Sequence, residues 1–217
     1  MKKLVINIYG GPGCGKSTTA TGVFSLLKLH GVNAEFVSEF AKDLTWEERH
    51  KTLKNQNYVS AKQHHRQWRL PDDIEVIITD SPILLGLVYG EDNHVFRTHI
   101  RSLFNKFDNV NYILKRVKEY NESGRYQTLE EAKEVDKKVI SELSHDFGYI
   151  HINGDFNAIN TITEDILLVL GKEIEYEICD TRKKCIHYPN DICDYDGECE
   201  RLKGINSAFC YYKFKKE

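Results

Sequence analysis

Long hydrophobic runs are missing from this chain. The longest, Val76–Ile78 and Ile83–Val88, fall far short of the about 20 apolar residues a helix needs to cross a bilayer, so no membrane span and no membrane partner are expected. A surplus of positive charge is missing too: 30 Lys and Arg face 33 Asp and Glu, for a net charge of −3. That excludes a globally basic nucleic-acid binder but leaves room for a local basic groove. Proline numbers only 4 in 217 residues, and no low-complexity tract or internal repeat is present, which argues against a disordered chain or a repeat array.

What is present is the composition of a folded globular protein, 41% hydrophobic and 29% charged. The length suits one compact domain with an appendage. The N-terminal MKKLVINIYGGPG begins like a signal peptide, but its apolar part spans only about six residues before a glycine-rich turn. It therefore reads as a buried first strand, and a cytoplasmic protein is expected.

Strand and helix patterns alternate from residue 3 to about residue 171. Apolar, β-branched segments predict strands at Lys3–Tyr9, Ala34–Ser38, Glu75–Asp80, Asn111–Lys115 and Tyr149–Ile152. Helices are predicted at 16–30, 82–88, 93–107, 128–144 and 158–170, together with a polar, two-part helical region over 45–69. Thr45 is its expected N-cap, with Glu48 completing a capping box. Strands separated by helices imply an α/β fold with a parallel sheet covered on both faces.

The stretch YGGPGCGKST, residues 9–18, contains G-x-x-x-x-G-K-[ST] between a predicted strand and a predicted helix, the context that gives this phosphate-binding loop (P-loop) its meaning. Glycines at 10, 11, 13 and 15 let the backbone around Cys14 curl, so that successive N–H groups converge on phosphate at a helix N-terminus. Lys16 is expected to bridge the β- and γ-phosphates of ATP, and the Ser17 hydroxyl to ligate Mg²⁺. Cys14 reads as a tolerated loop residue rather than a redox switch. Asp80, at the end of the third strand in Thr79-Asp80-Ser81-Pro82, suits the Mg²⁺ shell or orientation of a nucleophile, and equally the N-cap of the next helix.

Three features favour group transfer. Glu39, in VSEFAK after the second strand, faces the crevice where an acceptor hydroxyl would lie, as a general base or as a loop carboxylate or cap. Arg116 and Arg125, with Lys115, sit on a segment between the fourth strand and a helix that reads as a lid, about 116–127, bringing guanidinium charge onto the moving phosphoryl group. In AKQHHRQWRL, Gln63 and Gln67 share a helix face on which they would hydrogen-bond a nucleobase edge. Trp68 reads as core rather than as a stacking platform, and His64 and His65 as surface residues. A guanine-selecting N-K-x-D and a helicase motif set are both missing. The G-x-G-x-x-G register from Gly11 meets Lys16 where its third glycine belongs.

Together GGPGCGKST, SEFAK, IITDSP, LKRVKEYNESGRYQTLEEAKEVD and YIHINGD resemble the small P-loop kinases, in particular the group around the nicotinamide riboside kinase domain and its phage-encoded relatives, some of which phosphorylate hydroxymethyluracil bases in DNA. The likeness covers residues 1–171. It implies a three-layer sandwich with a five-stranded parallel sheet of order 2-3-1-4-5, a Mg·ATP donor, Thr18 near the α-phosphate, a lid carrying Arg116 and Arg125, and a loop at Asn153, Gly154 and Asp155 near the adenine. If the chain is phage-encoded, its place would be the host cytoplasm. Where the family usually reads Glu-Tyr-Ala-Arg, this chain has Glu39-Phe40-Ala41-Lys42.

Residues 172–217 stand apart as a Cys-rich extension. Cys179, Cys185, Cys193 and Cys199 follow C-x5-C-x7-C-x5-C, with His187 and Cys210 nearby. The gaps are wider than the close pairs usual for zinc, so structural Zn²⁺ and reduced thiols both stay open. The terminal Tyr211, Tyr212 and Phe214, interleaved with lysines, fit either a frayed end or contact with single-stranded nucleic acid, and DNA is a candidate partner of both the lid and this tail. The whole predicts a Mg·ATP-dependent kinase acting on a hydroxyl of a nucleoside, nucleotide or modified base. The alternative is a regulatory module that hydrolyses ATP or GTP with no acceptor. Neither the acceptor nor the oligomeric state is readable from the sequence.

Overall fold

The computed structural model describes residues 2–117, 119–120 and 128–172. Arg125 and the tail residues Cys179, Cys185, Cys193, Cys199 and Cys210 lie outside the described residues. The chain divides into two units, Met1–Ile159 and Asn160–Glu217.

The first unit is built on β1 (Leu4–Tyr9), β2 (Ala34–Val37), β3 (Val76–Thr79), β4 (Asp108–Lys115) and β5 (Ile150–Asn153), all parallel, in the order β2-β3-β1-β4-β5. This is the expected order. The helices are α1 (Lys16–Leu29), α2 (Phe40–Trp46), α3 (His50–Leu53), α4 (Gln56–Trp68), α5 (Leu85–Tyr89), α6 (His94–Phe104), α7 (Leu129–Asp146) and α8 (Asn157–Val169), the last running into the second unit.

Side chains alternate across the sheet. Val5 and Tyr9 of β1, Val37, Ile77 and Ile113 turn to one face, where they join Leu85, Phe96, Ile100, Val139 and Leu143 from α5, α6 and α7 in one core cluster. Residues of opposite parity, Ile6, Ile8 and Ile78, are fully buried, as are Ala20, Val23 and Leu27 of α1. All four residues of β3 are buried, the mark of a strand covered on both faces.

The sheet also carries polar groups at its centre. The Asn7 amide donates to the side-chain oxygens of Asn109 at 2.9 Å and Asn111 at 3.1 Å. Asn111 in turn donates to Gly148 O at 2.8 Å, and Asn109 to Phe104 O and Phe107 O at 2.8 and 2.9 Å. These bonds satisfy the buried amides and extend β4 back to Asp108, three residues before its predicted start at Asn111.

The predicted helix start at Thr45 is a helix end. Thr45 lies inside α2, with its hydroxyl bonded to Ala41 O at 3.0 Å. Glu48 takes a left-handed conformation at φ 54, while Glu48 N and Arg49 N reach back to Thr45 O and Leu44 O. That pair of bonds is the Schellman termination, here with a non-glycine residue at its left-handed position. α4 starts instead at Asn55, whose side chain caps Tyr58 N at 3.2 Å.

In the second unit, Ile162, Thr163, Ile166 and Leu167 form the buried stripe of α8. The helix stops at Gly171, φ 65, with Gly171 N on Leu168 O and Lys172 N on Leu167 O.

Candidate functional site

The P-loop joins β1 to α1, and its shape is written in its glycines. Gly10, Gly13 and Gly15 have φ of 142, 76 and 102, values that side chains rarely adopt. A Cβ on Gly10 would meet the Cys14 Sγ at 2.4 Å, so buried Cys14 packs into the space that the missing side chain leaves. Its thiol is therefore a structural filler of the loop. Lys16 opens α1 and folds its amine back onto Gly11 O at 3.1 Å. Thr18, one residue beyond Ser17 on α1, is exposed.

Asp80 follows β3, the neighbour of β1, and is 4% exposed. Its Oδ2 accepts the Ser17 hydroxyl at 2.5 Å, while its Oδ1 is buried without a partner. A buried carboxylate oxygen left unpaired costs free energy unless something cationic meets it. A hydroxyl and one carboxylate are the donors that Mg²⁺ takes from protein when phosphate and water fill its remaining positions, so these residues fit that ion.

Glu39 closes the other side. Thr79 Oγ1 donates to Val37 O at 2.8 Å and accepts from Ser81 N at 3.1 Å, which binds the tips of β2 and β3 together. Glu39 then stands at the N-cap of α2 without using its side chain as a cap. Burial raises its carboxyl above the ordinary value; Lys16 opposes that shift and Asp80 adds to it. The three charged groups thus share one crevice.

The AKQHHRQW helix braces this segment and leaves no nucleobase edge to read. Gln63 is buried, accepting Phe40 N at 2.9 Å and donating to Ser38 O at 3.3 Å. Arg66 donates to Ser38 O and Oγ, at 3.2 and 3.1 Å, and pairs with Asp43. Gln67 is wholly buried, so the pair predicted to face a base points into protein. Trp68, expected in the core, is 64% exposed and lies against His65, with ring centroids 5.8 Å apart. As the last residue of α4 it falls past the buried stripe of Val59, Ser60, Gln63 and Gln67. His64 is half-buried with its ring edge-on to Phe107, and burial lowers its pKa.

Arg116 comes to the P-loop directly from the end of β4. Its Nη1 donates to Pro12 O at 2.8 Å and its Nη2 to Asp136 at 3.0 Å, and its guanidinium lies over the Tyr120 ring at 5.5 Å. This side chain is seated on the P-loop, and its Nε is buried without a partner. The loop after β5 also reaches the P-loop. Gly154 N donates to Lys115 O at 2.8 Å, and a Cβ on Gly154 would stand 2.6 Å from Cys14 O. Asp155 itself caps the start of α8 through Asn157 N at 2.9 Å and Ala158 N at 3.3 Å.

Two residues of the site were not singled out from the sequence. Tyr89 ends α5 with 44% of its surface exposed, and its hydroxyl is pushed up to about 12 by partial desolvation and by neighbouring Glu39, Asp136 and Cys14. It stays protonated at neutral pH, as a donor at the mouth of the crevice. Asp136 lies on α7, in a helix pattern that gave no reason to choose it among several acidic residues. A separate cavity of about 530 Å³, lined by Lys2, Lys3, Trp68, Asp72, Lys106 and Phe107, sits at the opposite ends of the strands and contains none of these residues.

Strand, phosphate loop, helix and a neighbouring strand-tip carboxylate define a P-loop nucleotide-binding protein of the kinase-like fold. The family model described as the AAA domain matches residues 5–158, and the chain belongs to that family. Among solved structures, the NadR protein in complex with NR superposes with a TM-score of 0.58 at 16% identity, over 80% of this chain and 53% of that one. The chain thus spans about half the length of that NadR chain. The deoxyadenosine kinase from M. mycoides matches with a TM-score of 0.43 at 16% identity, over 77% of this chain and 98% of that one. No curated protein matches the sequence. Among the described residues no helix is long and apolar enough to cross a membrane, and no cluster of His, Cys, Asp and Glu is arranged to hold a metal.

Proposed function

We propose that this protein is a Mg·ATP-dependent kinase that transfers the γ-phosphoryl group to a hydroxyl of a nucleoside, nucleotide or modified nucleobase. The observation that carries this reading is Glu39: a half-buried carboxylate on the strand tip, in the crevice it shares with Asp80 and Lys16, whose pKa is raised by desolvation. A site built only to bind a nucleotide has no use for a second, destabilised carboxylate at this place. A transferase needs one to take the proton of the attacking hydroxyl.

In this reading the P-loop N–H groups and Lys16 hold the β- and γ-phosphates. Ser17 and Asp80 hold Mg²⁺, which when bound neutralises charge on the phosphates. The acceptor oxygen forms a bond to the γ-phosphorus as the bond from that phosphorus to the β,γ-bridging oxygen breaks. The hydroxyl proton passes to Glu39, and ADP leaves. Arg116, and Arg125 from the segment after it, stabilise the charge on the transferred group. Tyr89 donates a hydrogen bond to the acceptor at the crevice mouth. The loop at Asn153–Asp155 borders the nucleotide, and Thr18 lies toward the α-phosphate. The NadR structure with NR bound, on the same fold, supports a small nucleoside-like acceptor. Contact of the tail with DNA and zinc at its cysteines rest on sequence spacing alone.

Acceptor-dependent formation of ADP tests the proposal, measured over a panel of nucleosides, nucleotides and oligonucleotides bearing modified bases. At least one acceptor is expected to raise ADP production well above the rate with water alone. Equal rates with every acceptor would overturn the proposal.

A further inference from the structure

Asp136 is the last residue of the segment LKRVKEYNESGRYQTLEEAKEVD, and its carboxylate joins the phosphate loop to the arginine beside it. Oδ1 accepts the N–H of Gly11, and Oδ2 accepts Nη2 of Arg116 at 3.0 Å. Arg116 completes the circuit by donating Nη1 to Pro12 O at 2.8 Å. One carboxylate thus binds the loop backbone and the guanidinium, and the guanidinium binds the next residue of the same loop.

The approach is close. A Cβ on Gly11 would stand 2.4 Å from Ala132 O and 2.8 Å from Asp136 Oδ1, and Ala132 and Asp136 lie one turn apart on α7. Gly11 is therefore required to let this helix face touch the loop. The side chains of Arg116 and Asp136 are only 12% and 22% exposed, so each charge depends on the other for compensation. Arg116 Nε remains buried and unpartnered, a donor the pair does not consume.

We infer that Asp136 is a positioning residue for phosphoryl transfer: it seats Arg116 on the P-loop before nucleotide arrives, so that the guanidinium meets the phosphates in a fixed orientation. The inference rests on the kinase reading of this site and adds to it a residue on α7. The physical benefit is preorganisation, since an arginine already held loses less freedom when charge develops on the phosphoryl group. The pair also keeps the Asp136 charge from repelling phosphate, because the arginine neutralises it.

The test is a double-mutant cycle on the full chain with Asp136→Asn, Arg116→Ala and both together, reading kcat, KM and dissociation constant for Mg·ATP, and Tm. Asn keeps an oxygen for the Gly11 N–H and removes the charge that holds Arg116. Asp136→Asn is expected to lower kcat about tenfold with Arg116 present, in line with coupling between groups in direct contact. It should have little further effect once Arg116 is alanine. Arg116→Lys, which keeps charge but loses the planar fork, should resemble Asp136→Asn. Equal losses in both arginine backgrounds, or no loss with Arg116 present, would overturn the inference and leave Asp136 a staple of the fold. If Asp136→Asn does not fold, Arg116→Lys decides: unchanged kcat would overturn it. Failure of the wild type to phosphorylate any acceptor would sink the kinase reading alone. The same cycle would then be read in the Mg·ATP dissociation constant, where independent effects of the two substitutions would overturn the role of Asp136.

Discussion

Glu39 carries opposite consequences for stability and for activity. Its pKa is raised by burial, so between the ordinary carboxylate value and that raised value the folded protein holds a proton that the unfolded chain releases. Stability therefore falls as pH rises through this window, and above it the ionised carboxylate remains a standing cost. Glu39→Gln is expected to raise Tm at pH 7 by about 2–4 °C for each kcal/mol relieved, while lowering kcat about 100- to 10,000-fold. The wild-type rate should rise with pH along an acid limb centred above the usual carboxylate value, and that limb should vanish in the variant. Thermal melts and a pH–rate profile check both; a variant that loses Tm and keeps its rate would remove Glu39 from the chemistry. At this scale the donor half of the site was legible, because Gly10, Gly15, Lys16 and Ser17 form a local pattern whose geometry follows from spacing. Tyr89 and Asp136 were not, because their roles come from where α5 and α7 bring them.

Among the elements, the contacts around the strand tips bear most directly on function. Gly154 lies where a Cβ would stand 2.6 Å from Cys14 O and 3.0 Å from Lys115 O, both backbone atoms with little room to yield. Gly154→Ala is therefore expected to displace the loop after β5 from the P-loop, weakening Mg·ATP binding about tenfold or more, the equivalent of about 1.4 kcal/mol. Isothermal titration measures this directly, and unchanged affinity would show that the loop does not border the nucleotide. Asn111→Leu tests the amide ladder between β1 and β4. It leaves the Asn7 donor one acceptor short and Gly148 O without its partner, at a cost of about 1–3 kcal/mol in urea unfolding. Hydrophobic pattern alone hid these features. Asp108 and Asn109 look like loop residues, so β4 was read short, and Thr45 with Glu48 matches a helix start while the backbone ends a helix there. The AKQHHRQW helix misled for a related reason: glutamines with i, i+4 spacing share a face, but only the fold shows that Gln63 grips the backbone at Ser38 and Phe40.

For the whole molecule, the order β2-β3-β1-β4-β5 places the P-loop after the central strand, with Asp80 from one neighbour and Arg116 from the other. Glu39 arrives from the next strand out. Parallel strands deliver all four groups at their C-terminal ends, where open α/β sheets bind ligands. The order was legible through the kinase resemblance, whereas no amount of local pattern in residues 40–110 names the acceptor. Transfer to an acceptor is read from the fate of the label in γ-labelled ATP. Label is expected on the hydroxyl of a nucleoside, nucleotide or modified base, and is expected to be lost when Lys16 is replaced by alanine. Label appearing only as free phosphate with every acceptor would contradict the proposed transfer.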